Sequence, residues 1–190
     1  MKIPLSYQIT EYDCGTMAFI NAISYLFERK EIPVSLIRGI FLYTLDSYND
    51  KGNWGEGGTS REAVKLLERF INDLADTNKL DIKCKVLEGK QVKLKEIKRV
   101  IRGKGCVIVK CWQGGLHYVL VTDIDNEYVY IFDSYYLDSN YIDKDGMMEI
   151  VSNRPFKYNR KVRIERFMSK GKKDFALGCI KDRLMLSMVI

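Results

Sequence analysis

The chain has 190 residues, 46% apolar and 29% charged, with a formal net charge of +6. Such values suit one soluble domain with a core of its own and exclude a low-complexity array or a disulfide-stapled miniprotein. The positive charges are spread out, with mild clusters such as Lys93, Lys95, Lys98, Arg99 and Arg102, so they read as solvated surface and no nucleic-acid partner is expected.

Residues 1–13 read as an extended lead-in, and Asp13 has the residue type of a helix N-cap. Met17, Ile20, Ala22, Ile23, Leu26 and Phe27 then recur at helical steps. Cys14 therefore falls in the first turn of a buried helix. Pro33 and Ser35 open a second helix over about 35–45. A polar, glycine-rich loop follows from Asp46 to Gly58, with Trp54 inside it. Its length favours a flap over a site. Thr59-Ser60-Arg61-Glu62 reads as a capping box, starting a helix to about Ala75.

Residues 80–88 alternate as a strand, and 93–102 form a basic amphipathic helix stopped by Gly103 and Gly105. Three β segments come next, Cys106–Trp112, 116–124 and 128–134, joined by turns at Gly114-Gly115 and Asp125-Asn126. Beyond 135 the pattern suggests a mobile loop around 138–146, strand pieces near 161–168, and a last hairpin with strands near 174–180 and 184–190. Helices followed by an antiparallel meander make an α+β fold. The whole of 1–190 is expected to be one domain, with its core over about 4–135 and a C-terminal elaboration over about 136–190.

The five cysteines, Cys14, Cys84, Cys106, Cys111 and Cys179, are odd in number and lack zinc-knuckle spacing. With a single histidine no metal site is expected, nor any cofactor. Reduced thiols point to the cytoplasm. The opening residues carry no signal-peptide core, and no run approaches the ~20 apolar residues of a membrane helix.

Three residues carry chemistry. Unpaired amides and the helix dipole at a helix start stabilise negative charge, the setting of reactive thiolates, and Cys14 lies there. Gly15 beside it leaves room for a substrate carbonyl. His117 is the only histidine; it begins a strand just after the Gly114-Gly115 turn and suits general-base work. Asp133 ends the next strand. Positions 117 and 133 lie equally far from 125, so a symmetric hairpin puts them directly opposite, about 5 Å apart at Cβ. A nucleophile, a base and an orienting carboxylate are the parts of a triad. Gln8, six residues before Cys14, is the candidate oxyanion donor. Gly15, Trp112, Gly115 and Leu116 are the expected substrate-binding residues, with Trp112 as a cleft wall.

The stretch Gln8-Ile9-Thr10-Glu11-Tyr12-Asp13-Cys14-Gly15, then Gly115-Leu116-His117-Tyr118-Val119-Leu120-Val121, then Ile131-Phe132-Asp133 resembles family thirty-nine of the cysteine peptidases. These are the bacteriocin-processing enzymes that cut after a double glycine in leader peptides. The resemblance spans roughly residues 4–135. It implies a papain-like fold and a thiol protease in which Cys14 attacks, His117 is base and acid, Asp133 orients it and Gln8 serves the oxyanion hole. The chain departs from the family at Ser134, where proline is common. The expected substrate is a peptide or small amide, cut through a thioester. The alternatives are an inactive peptide-binding relative and an acyltransferase of the same fold.

Overall fold

In the computed structural model residues 1–190 are described except 79, 138–140 and 142. The first helix, α1 (Cys14–Leu26), is apolar almost all round, and Phe19, Ala22 and Ile23 are fully buried. A helix of that kind belongs inside a core. Asp13 precedes it but does not cap it with its side chain. Its carboxylate turns back and accepts hydrogen bonds from the Ile9 and Thr10 amides and the Thr10 hydroxyl. The expected cap thus organises the lead-in, because three donors upstream compete for the carboxylate that the first helical turn would otherwise take.

Two more helices cover the same side, α2 (Val34–Tyr43) and α3 (Arg61–Asn78). They pack closely because Gly39 leaves room for the Phe70 ring, which a Cβ there would strike. The cap of α3 is Ser60, whose hydroxyl accepts from the Ala63 amide at 3.0 Å. That is one residue later than the Thr59 reading, since Asp46 holds Ser60 in place.

Among the described residues seven strands form one antiparallel sheet: β1 (Lys83–Glu88), β2 (Cys106–Trp112), β3 (Leu116–Ile124), β4 (Tyr128–Phe132), β5 (Met148–Ile150), β6 (Arg160–Arg163) and β7 (Leu184–Val189). Their spatial order is β1-β7-β2-β3-β4-β6-β5. α1 lies across β2 and β3, and α3 across β1 and β7. Helix α4 (Leu94–Arg102) supplies Ile97 and Val100 to a second core on the other face, which it shares with Phe167 of α5 (Ile164–Met168). The α+β architecture is as the sequence indicates.

The tail differs from expectation. Residues 174–180 form no strand: Phe175 is fully buried with φ of +64°, and Gly178 has φ of +70°. Left-handed residues break an extended run. The segment instead bonds the end of β2, Phe175 N to Trp112 O and Trp112 N to Ala176 O. β7 does form, but pairs with β1 on one side and β2 on the other. The piece read as a strand near 161–168 divides into β6 and α5. The tail is therefore part of the same sheet. The loop expected around 138–146 falls partly outside the described residues.

Candidate active site

α1 points its first turn at the end of the sheet where β3 begins and β4 stops. There the structure brings three of the expected residues together. His117 Nε2 lies 2.7 Å from Asp133 Oδ1. The Cys14 side chain interacts with the same ring. A cleft of about 440 Å³ opens over the sulfur and the imidazole. Its walls include Glu11, the turn from Gln113 to Leu116, Tyr135, Tyr141 and Asp174. Asp133 has no exposed surface and lies behind the ring.

The hairpin register is not the symmetric one. Leu120 pairs with Phe132 and Val121 with Ile131; after a bulge Asp123 pairs with Tyr130. Continuing the β3–β4 ladder sets Asp133 opposite Val119. His117 is its diagonal neighbour on the same face, about 7–8 Å away along the backbone, and the two side chains span the gap. The offset arises because the turn runs from Asp125 to Tyr128, with Asp125 N donating to Tyr128 O, and because the bulge adds a residue to β3.

Burial alone disfavours the imidazolium. The hydrogen bonds that the ring makes to Asp133 and Cys14, and the negative charge of those groups, outweigh it, raising the His117 pKa to about 10. His117 also faces Cys111 across the β2–β3 ladder. Burial first, then the charges of Asp133 and Cys14, push the Cys111 thiol well above its ordinary value.

Two residues that the sequence reading passed over hold Asp133. Asn159 Oδ1 accepts from the Asp133 amide at 2.8 Å, and its Nδ2 donates to the Asp133 carbonyl at 2.7 Å. Arg160 is 1% exposed, donates to the Asn159 and Tyr135 carbonyls, and puts Nη2 3.7 Å from Asp133 Oδ2. A buried guanidinium thus offsets a buried carboxylate. An Asn-Arg pair entering a strand in the tail gives no local signal of this role; only the pairing of β6 with β4 brings it here.

The other expected site residues are distributed as follows. Gly115 and Leu116 line the cleft. Trp112 lines an adjoining pocket that shares Leu116, with Lys172 over its ring at 4.9 Å. Gly15 is buried against Thr59, whose Cβ would lie 2.6 Å from an added Cβ. Its close approach is to its own chain, and it is not part of the cleft lining. Gln8 also lies outside that lining. Its Nε2 donates to the Thr10 carbonyl at 2.7 Å, and its Oε1 accepts from the Ser134 hydroxyl at 2.9 Å. The loop from Asp46 to Gly58 folds on itself through a Tyr48–Trp54 bridge and contributes no lining residue.

No family model, curated protein or solved structure matches this chain. No described helix is long and apolar enough to cross a membrane.

Proposed function

We propose that the chain is a papain-like cysteine peptidase, similar to the bacteriocin-processing enzymes, that hydrolyses amide bonds in peptides. The observation that carries this reading is the 2.7 Å contact of Asp133 with His117, on a ring that also interacts with the Cys14 thiol and lines an open cleft with it. Three stretches far apart in sequence supply these groups: Cys14 opens α1, His117 lies in β3 and Asp133 directly follows β4. A structural histidine needs one partner; this one has an orienting carboxylate behind it and a thiol in front.

In the proposed reaction the Cys14 sulfur adds to the scissile carbonyl carbon, with its proton held by His117. The tetrahedral oxyanion is met by the Cys14 amide at the start of α1, with Gln8, which sits outside the cleft lining next to Ser134, as the proposed second donor. As the C–N bond breaks, His117 gives its proton to the leaving amine, and a thioester remains on Cys14. Water then adds to the thioester while His117 takes its proton. The C–S bond breaks, His117 returns the proton to sulfur, and the acid leaves. Asp133 keeps the ring oriented and stabilises its charged form.

The proposed setting is the cytoplasm, in keeping with five free thiols. The test is incubation of the protein with a mixed peptide library and mass analysis of the products. New termini made by the wild type and absent with Cys14→Ala support the reading. Identical product sets from the two proteins contradict it.

A further inference from the structure

Gln8 is the member of the proposed machinery that lies farthest from a regular element, six residues before α1 begins. It lies in the lead-in, before α1, so something else must fix the direction of its side chain. The two ends of a carboxamide are nearly the same size, and only hydrogen bonds decide which end points where. Here both ends are engaged. The Thr10 carbonyl, which can only accept, takes Nε2 at 2.7 Å and so selects the nitrogen. The Ser134 hydroxyl donates to Oε1 at 2.9 Å. The main chains are stitched as well, Gln8 N to Ser134 O at 2.9 Å. Thr10 in turn is tied to Asp13 through its amide and its hydroxyl, directly before Cys14.

We infer that Ser134 is a positioning residue for Gln8: its buried hydroxyl clamps the amide oxygen and leaves the second Nε2 hydrogen free for an oxyanion. This rests on the peptidase reading and refines its oxyanion site. Ser134 is 2% exposed, so water does not readily replace its hydroxyl when that group is removed. It follows Asp133 directly, so the end of β4 serves both halves of the chemistry. Asp133 orients the base, and the next residue orients the donor. Without the hydroxyl the Gln8 oxygen loses its buried partner, and the amide is free to turn its oxygen toward the developing negative charge.

The test uses the full chain and a panel of acetyl-dipeptidyl aldehydes that varies the final residue. An aldehyde adds to the Cys14 thiol to give a tetrahedral hemithioacetal whose oxygen occupies the oxyanion position. Iodoacetamide alkylation of Cys14 is measured alongside, because that reaction makes no oxyanion. The expected result is that Ser134→Ala weakens the best aldehyde about tenfold, leaves the alkylation rate of Cys14 within about twofold, and adds nothing in the Gln8→Ala background. An equal weakening by Ser134→Ala with and without Gln8, or no weakening at all, overturns the inference while leaving the peptidase reading standing. A parallel fall in alkylation overturns it too, since it shows a general disturbance of the site. Absence of any aldehyde adduct on wild-type Cys14 overturns both.

Discussion

Asp133 reaches His117 on the diagonal of the β3–β4 ladder, not from directly across it, and still brings Oδ1 within 2.7 Å of Nε2. The carboxylate is fully buried and its backbone is clasped on both sides by Asn159. The imidazole is thus held by a group that cannot easily move. Asp133→Ala is expected to lower Cys14-dependent peptide hydrolysis by about 10²- to 10⁴-fold, the range of a lost acid–base arrangement. A steady-state assay on any substrate found by library cleavage checks this.

The support behind Asp133 predicts a stability effect with a definite order. Asn159→Ala removes two buried hydrogen bonds to one residue and is expected to cost about 2–4 kcal/mol, by about 1–3 kcal/mol per orphaned group with partial relaxation. Arg160→Met removes the second cation beside the buried Asp133 carboxylate and strips the Asn159 and Tyr135 carbonyls of their donor, at a cost of about 3–5 kcal/mol. Urea unfolding midpoints of the two variants measure both.

The sequence made the three chemical groups legible because each is tied to a local signal: a cysteine at a helix start, a histidine after a glycine turn, an aspartate closing an apolar run. The diagonal register was not legible, since the residue added by the bulge between Val121 and Asp123 has no sequence mark. The same holds for β7. Its apolar run announces a strand, but nothing local says that it inserts between β1 and β2. Asn159 and Arg160 owe their place to the pairing of β6 with β4, a contact that short-range patterns do not encode. Asp13 misleads by residue type: it occupies the cap position, yet its carboxylate faces backward to Thr10.

The raised pKa of His117 ties stability to pH. The folded value, about 10, lies above the ordinary 6.5. The imidazolium therefore stabilises the fold fully below about pH 6.5, and that contribution fades as pH rises through about 10. The difference in unfolding midpoint between the wild type and His117→Gln should be largest near pH 6 and shrink by pH 10.5. Nuclear magnetic resonance of the labelled imidazole should show its titration moving down in Cys14→Ala, because a hydrogen bond and a negative charge leave the ring.

Gly15 offers a control for the helix start. Its missing side chain makes room for Thr59, not for a ligand. Gly15→Ala overpacks that contact and is expected to destabilise the chain by about 1–3 kcal/mol. Thermal unfolding checks the direction.

Differential alkylation of the five thiols reads the activation of Cys14 by His117 in a single experiment. Cys84, Cys106 and Cys111 are buried and burial raises their pKa values, whereas Cys179 is exposed and serves as an internal reference. Iodoacetamide at neutral pH is expected to modify Cys14 faster than Cys179, and His117→Ala to slow Cys14 by about a hundredfold without changing Cys179. A Cys14 rate that is no faster than that of Cys179 and indifferent to His117 would rule out a thiol activated by that imidazole.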